Sequence, residues 1–435
     1  TEDSYAVEVM KKLGAVPLCK TNIPMALLCL ESSNRLWGGA KNPWNQNKTT
    51  GGSSGGDAGL VSVRATPIGL GSDIGGSIRV PASFCGVYGF KPSVRRISGK
   101  NNKGIDNSSY AGFNVLEAST GPITSSFDDL ILFSKAMFGQ FPNDFSILSQ
   151  KFNDQTYQEY SNTKKLKIGY CYNVSRTEVA PGILKNIQST LDKLKQQGHE
   201  ILEFPLEQFM NIHDIGLQLI FNSGKLKSMI EHLGEEKHMP FYDKVVIPHL
   251  VPAFVTKLIV LSLRLTGQTR VANSLDNAAI HFSTLKEFYS AVAKYNKLKD
   301  VFYKYYLSQG FDCLILPITP FPAFENGKGE LTFQNVFYSM IVNMLDMPAG
   351  SIPLGLLKDT TYNSVYNDKM RKDIEESLKT SLNLPISLQV ATLPNQDEKC
   401  LGIMKLVNDL VKEGKEKDYN EYYSSTKECL VNIKK

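Results

Sequence analysis

The sequences GGSSGG at residues 51–56 and DIGGSIR at residues 73–79 decide the fold of this chain. Runs rich in glycine and serine are often flexible linkers. These two runs, however, lie between apolar segments, and the second contains Asp73 and Arg79. Two such loops so close together indicate a structured site rather than a linker.

Ser77 has the local sequence that a nucleophilic serine needs. Gly75 and Gly76 permit backbone angles that other residues avoid, and successive free amides in such a turn form an anion-binding nest. We therefore expect the amides of Ile74, Gly75, Gly76 and Ser77 to bind the oxygen of a tetrahedral intermediate. Each such donor contributes on the order of 3 kcal/mol.

A serine hydroxyl also needs a base. The first histidine is His199, so a lysine acting through a second serine fits the local composition better. Ser53 precedes Ser77 in a loop that could fold back on it. Residues 52–56 also match the pattern G-x-S-x-G, which would make Ser54 the nucleophile of an esterase. The preceding residues 46–50 are polar and predict no strand, which disfavours that alternative.

The composition of the 435-residue chain excludes several classes of function. A net charge of +5, from 48 basic and 43 acidic residues, gives no reason to expect nucleic-acid binding. The seven cysteines contain no C-x-x-C pair, so we expect neither a zinc site nor a disulfide framework, and we expect a reducing compartment. No metal or organic cofactor is required.

Short apolar runs and one helical pattern predict an α/β fold. Apolar residues spaced by three and four between Pro181 and Gly198 predict a helix between two strands, which implies a parallel crossover. We expect a Gly-rich turn at 69–77. The strands are predicted at 15–18, 166–171, 201–204, 313–316 and 386–391.

The most hydrophobic region is Val245–Leu265, within a cap-like insertion at about 241–270. Its charged residues and prolines argue against a membrane-spanning helix. Two interpretations stay open: a buried core helix, or an interfacial helix with its apolar face in lipid. In the second, Phe254, Leu258 and Leu261 would lie at the membrane or at the mouth of an acyl channel.

Together with FCGVYGFKPS at 84–93, the two loops resemble the signature of the amidase signature family over its whole length. The resemblance extends over nearly the entire chain, and LDMPAG at 345–350, Ile74 and the 245–265 region make it most similar to the fatty acid amide hydrolases. It implies a large mixed β-sheet sandwiched by helices. The whole chain, 1–435, would form this single domain, with a signature core at 42–93.

The resemblance also implies roles for individual residues. Ser77 matches the nucleophile that forms the acyl-enzyme, and Ser53 matches the relay serine, whose preceding peptide bond is cis in the family. Ile74, Gly75 and Gly76 match the oxyanion loop. The remaining matches are a substrate-contacting position at Leu27 and supporting polar residues at Ser54, Asp73 and Arg79, of which the last two could equally form a structural ion pair.

The activity implied is hydrolysis of fatty acid amides, of the N-acylethanolamine or primary amide type, by a Ser-Ser-Lys mechanism. We expect a lipid amide substrate, peripheral contact with an internal membrane of the cell through 245–265, and no nucleic acid, and a homodimer stays open. Two alternatives stay open: an amidase acting on small or aminoacyl amides, and a base-less pseudoenzyme that binds lipids.

One departure from the family concerns the base. The family's lysine lies several tens of residues before the GGSSGG loop, and nothing among residues 1–52 resembles its motif. Lys20 belongs to the Lys-Thr-Asn segment, which is a different part of the pattern. We therefore expect the chain to be truncated at its N-terminus and to have little activity by itself.

Overall fold

The computed structural model describes residues 2–102, 115–140, 144, 146–163, 165–175, 177–222, 239, 253–278, 282 and 284–413. The strands are β1 (Ser33–Asn34), β2 (Gly38–Gly39), β3 (Lys41–Asn42), β4 (Asn45–Thr49), β5 (Ile68–Asp73), β6 (Tyr88–Lys91), β7 (Ser119–Thr124), β8 (Lys167–Tyr170), β9 (Glu200–Glu203), β10 (Cys313–Pro317), β11 (Ala349–Leu356) and β12 (Pro385–Ala391).

The helices cover the sheet and connect its strands. They are α1 (Tyr5–Lys12), α2 (Gly55–Ser62), α3 (Arg79–Cys85), α4 (Phe127–Met137), α5 (Asp154–Ser161), α6 (Pro181–Gln196), α7 (Met210–Asn222), α8 (Ala253–Leu265), α9 (Thr269–Ala278), α10 (Leu285–Gln309), α11 (Thr332–Met344), α12 (Lys369–Lys379) and α13 (Asp397–Lys412).

An eight-stranded mixed sheet carries the fold, in the order β5-β7-β6-β11-β12-β10-β8-β9. The strands from β5 to β10 pair antiparallel, whereas β10, β8 and β9 are parallel. The predicted crossover is confirmed, since α6 connects the parallel pair β8 and β9. Every residue of β10 and β12 is buried, as expected for apolar strands covered on both faces.

The signature segment forms one edge of this sheet and its covering helices. β5 runs into the loop 74–78, which leads directly into α3 and then, after the left-handed cap Gly86, into β6. Ala58 of α2 and Ala82 of α3 pack in one apolar cluster with Ile123 of β7. The loop with Ser77 is therefore held between a strand end and a helix start, both anchored in the core.

Three details differ from the sequence-based expectations. Residues 15–18 form no strand, and Val16 and Leu18 are exposed, because an apolar run becomes a strand only where a neighbouring strand can pair with it. The first five residues of the expected Gly-rich turn, 69–73, belong to strand β5, where alternate residues are buried, and the chain leaves the strand after Asp73. The polar residues before Ser54 do form a strand, β4, which pairs with β3 in a small ribbon and forms an isolated bridge between Lys48 and Glu325.

Candidate active site

The two glycine- and serine-rich loops lie against each other. The backbone N–H of Ser54 donates to the carbonyl of Ser77 over 3.1 Å. Ser53 and Ser77 are 3% and 8% exposed, and the Gly52–Ser53 peptide bond is cis, as the resemblance implies. The fold thus brings the two candidate catalytic residues into one buried cluster, although their hydroxyls are not hydrogen-bonded to each other in this structure.

Ser32 forms hydrogen bonds to the backbone of the Ser53 loop. The sequence analysis did not identify it. Its hydroxyl donates to the carbonyl of Ser53 over 3.2 Å and accepts the backbone N–H of Gly55 over 3.0 Å. Its own N–H donates to the carbonyl of Gly51 over 3.2 Å. Ser32 is fully buried, so the Ser53 loop has a fixed backbone on both sides of the serine.

Asp73 shapes the Ser77 loop, because its carboxylate accepts backbone N–H groups from the residues that follow it. The Gly76 amide donates to one oxygen over 2.7 Å, and the Ile78 amide donates to the other over 3.2 Å. The expectation that the Gly76 amide binds a substrate oxygen is therefore wrong. A short acidic side chain can capture the backbone amides just beyond it, and here it does so.

The carbonyl groups of the loop are occupied by other donors. The Ser339 hydroxyl donates to the Gly75 carbonyl over 2.7 Å, and the Val80 amide donates to the Gly76 carbonyl over 2.7 Å. Within the described part of the chain, the backbone amides of Gly75 and Ser77 have no acceptor. These two amides flank the pinned Gly76 amide. Together with the amide of Ile74, which also has no acceptor among the described residues, they are the donors left to bind a developing oxyanion.

Arg79 ties Asp73 to the rest of the fold. It is fully buried, as is Asp73. Two of its N–H groups donate to the two oxygens of Asp73, both over 3.0 Å. The others donate to Ser339 O (2.9 Å), Gln389 Oε1 (2.6 Å) and Asn343 Oδ1 (2.5 Å). All five guanidinium donors are satisfied, and the buried ion pair also fixes the Ser77 loop.

This ion pair determines the charge of the Asp73 carboxyl group. Burial by itself would raise the pKa of Asp73, but the charge and hydrogen bonds of Arg79 outweigh it and lower that pKa to about 2. Asp73 is therefore an anion at neutral pH. It accepts loop amides and does not exchange protons with substrate.

The remaining predicted site residues lie around this cluster. Leu27 and Ile74 are half-buried, and Leu27 lies in a short 3₁₀ turn with φ of 61°. Ser54 is buried, and its hydroxyl lies 2.7 Å from the point where a Cβ on Gly71 would stand. The Ser54 side chain thus packs beneath β5, which argues against the esterase alternative.

Two buried lysines lie near the signature segment, and neither contacts a candidate catalytic serine. Lys48 donates to Glu325 over 2.6 Å and to the Ser377 carbonyl of α12 over 2.9 Å, which attaches β4 to that helix. Lys91 donates to the carbonyl of Pro92 over 3.1 Å. Burial, followed by the nearby charge of Arg79, lowers the pKa of Lys91 to about 8.

Phe254, Leu258 and Leu261 lie on α8 with 66%, 62% and 54% of their surface exposed. The residues 241–252 of the predicted insertion lie outside the described residues. None of the helices in the described part of the chain has the length and apolarity that crossing a membrane requires. The exposed side chains argue against the buried-core interpretation of this helix.

The residues that sequence reasoning missed lie far along the chain, on α11 and β12. Asn335, Ser339 and Asn343 recur every four residues on α11, an otherwise largely apolar helix. Such spacing puts polar groups in one line on a helix face. This polar stripe is the signal that could have identified α11 as a partner of the serine loops.

Comparison with known proteins supports this description. The family model described as Amidase matches residues 1–401. Fatty-acid amide hydrolase 1 of Sus scrofa is 29% identical over 95% of this chain and 71% of its own length. Fatty acid amide hydrolase 1 of Caenorhabditis elegans is 25% identical over 93% and 70%. A solved structure of a fatty acid amide hydrolase superposes with a TM-score of 0.76 at 24% identity, covering 94% of this chain and 67% of that one.

Proposed function

The chain belongs to the amidase signature family, and from this premise we propose that it hydrolyses fatty acid amides with Ser77 as its nucleophile. Membership supports amide hydrolysis as the reaction class. The finer assignment to fatty acyl substrates rests on the similarity to two fatty acid amide hydrolases. The exposed apolar side chains of α8 also fit a lipid substrate.

One observation carries the proposal: two unoccupied backbone amides flank the pinned Gly76 amide beside a buried serine. Preorganised amides of this kind stabilise an oxyanion because they need no reorientation as charge develops. The carbonyl groups of Gly75, Gly76 and Ser77 accept hydrogen bonds from other parts of the fold, so these three are directed away from the two amides.

In the proposed reaction, the Ser77 oxygen attacks the amide carbon while its proton passes to Ser53 and on to a neutral lysine. That lysine is the base implied by the family resemblance, and residues 1–52 contain no motif that matches it. The amides of Gly75 and Ser77 hold the resulting oxyanion. The proton returns through Ser53 to the departing amine as the carbon–nitrogen bond breaks. Water then cleaves the acyl-enzyme by the same sequence of proton transfers.

A fluorophosphonate probe tests this proposal, because it reacts with activated serines. In a protein that carries the family's lysine base, we expect labelling on Ser77, and we expect the Ser77→Ala variant to lose all labelling. Ser53→Ala should slow labelling by at least ~100-fold, since the relay of the proton is lost. Ser134→Ala is a control, because it removes a buried helix hydroxyl that donates only to Leu130. An unlabelled native protein would support the pseudoenzyme.

Substrate class is tested separately. We expect kcat/KM for a long-chain acyl amide to exceed that for a short-chain amide by at least ~100-fold, because each buried methylene contributes about 0.8 kcal/mol. Equal values for both would assign the chain to amidases of small or aminoacyl substrates.

We also propose that α8 contacts a membrane surface. Glutamate at Leu258 and Leu261 should abolish flotation with liposomes, because each change puts a charge where an apolar side chain would enter lipid. Leu285→Glu is the matched control, since Leu285 is 75% exposed on another helix. Unchanged flotation of the Leu258→Glu/Leu261→Glu variant would refute the contact.

A further inference from the structure

The loop that carries Ser77 is intrinsically flexible, because two consecutive glycines precede the serine. Glycine loses more backbone freedom on folding than any other residue. A hole built from the Gly75 and Ser77 amides therefore needs an external restraint to keep these two donors at a fixed separation. The peptide that joins Gly75 to Gly76 lies between them, and its attachments determine that separation.

This peptide is held from both sides. Its N–H donates to Asp73 over 2.7 Å, and its carbonyl accepts the Ser339 hydroxyl over 2.7 Å. Ser339 lies 262 residues after Ser77 in the sequence, on α11. Its backbone carbonyl also accepts a hydrogen bond from Arg79 over 2.9 Å. One residue of α11 thus binds the loop directly and binds the arginine that fixes the other restraint.

Packing on α11 agrees with this contact. A Cβ added at Gly76 would lie 2.1 Å from the Ser339 hydroxyl, and one added at Gly75 would lie 3.4 Å from Val336 and 3.5 Å from Met340. The helix face that contains these three residues therefore lies directly on the glycines. At position 76, any residue with a Cβ would occupy the space through which the Ser339 hydroxyl reaches the loop.

We infer that Ser339 is a positioning residue: it fixes the Gly75–Gly76 peptide so that the neighbouring amides are preorganised for the oxyanion. This inference rests on the proposed function for its catalytic consequence, whereas the restraint itself is independent of activity. Ser339 contacts the loop and Arg79. Its hydroxyl acts through the backbone of the loop, in the way that supporting hydrogen bonds hold reacting groups in place.

Hydrogen exchange measures the restraint without any need for turnover. In Ser339→Ala, we expect the amides of residues 73–78 to exchange at least ~10-fold faster than in the native protein, because the Gly75 carbonyl has lost its donor. Ser134→Ala removes a comparable buried hydroxyl from α4 and should leave this segment unchanged. Equal exchange in Ser339→Ala and the native protein would overturn the inference.

Kinetics then test the catalytic consequence. Misplacing reacting groups by about 1 Å can cost on the order of 100-fold, so we expect kcat to fall by about 10- to 100-fold in Ser339→Ala, with KM within about 2-fold. A boronic acid transition-state analogue should lose affinity by a similar factor. A change in KM alone, with kcat intact, would contradict the positioning role. If the native protein neither hydrolyses amides nor reacts with the probe, the proposed function fails, and the exchange result still decides whether Ser339 restrains the loop.

Discussion

Replacing Arg79 is the sharpest test of how the site is held together. Arg79→Met removes five hydrogen bonds and leaves the Asp73 carboxylate buried without its cation. Removing one partner of a buried ion pair typically costs about 3–5 kcal/mol. Arg79→Lys keeps the charge but offers three donors instead of five. At least two acceptors then lose a donor, so we expect a loss of about 2–4 kcal/mol.

Urea unfolding measures these losses. With an m-value of about 3 kcal/mol/M, Arg79→Met should lower the midpoint by about 1–1.7 M at an unchanged m-value. The double variant Asp73→Asn/Arg79→Met should be more stable than Arg79→Met, because the unpaired buried charge is gone. Arg371→Met is the control, since Arg371 forms a half-exposed pair with Glu375 and such pairs contribute about 0–1 kcal/mol. An Arg79→Met midpoint equal to that of Arg371→Met would refute the reasoning.

Three further predictions concern stability. Gly76→Ala should lower the free energy of unfolding by about 2–5 kcal/mol, because Gly76 has φ of 120° and the new Cβ would overlap Ser339; an unchanged melting temperature would contradict this. Lys48→Met should lower the free energy of unfolding, measured in urea, by about 1–3 kcal/mol, since it removes the fully buried cation that binds Glu325. A more stable variant would show that the cost of burying the ammonium group exceeds the stabilisation from its hydrogen bonds. Burial lowers the pKa of Lys91 in the folded state to about 8, below the value of about 10.4 in the unfolded chain. The unfolded chain therefore holds the extra proton between these values, so this group makes the free energy of unfolding rise with pH from about 8 to 10. Urea unfolding of the native protein and of Lys91→Met at about pH 8 and pH 10 should show the free energy of unfolding of the native protein rising relative to that of the variant.

Local sequence was sufficient to locate the reactive segment. The glycines around Ser77 and the residues Asp73 and Arg79 lie within one short stretch, so their mutual contacts depend on few intervening residues. The strands β8 and β9 and the helix α6 were predicted for the same reason, because periodicity and terminal signals act within one element.

The predictions that failed depended on contacts between residues far apart in the sequence, or on hydrogen bonds that the composition does not indicate. The polar strand β4 forms because β3 pairs with it, whereas the apolar residues 15–18 have no pairing strand and remain exposed. The Gly76 amide is directed at Asp73, which depends on backbone angles that glycine leaves open.

The sequence by itself determined which chemistry we propose for the chain, because the proposed nucleophile, the glycines and the buried ion pair are encoded side by side. Only the tertiary structure decided which amides are left for an oxyanion and what keeps them in place. That decision depends on Ser339 and Asn343, more than 250 residues along the chain from the loop they contact. A contact over such a separation forms only once β5 and α11 pack together, so no local pattern could specify it.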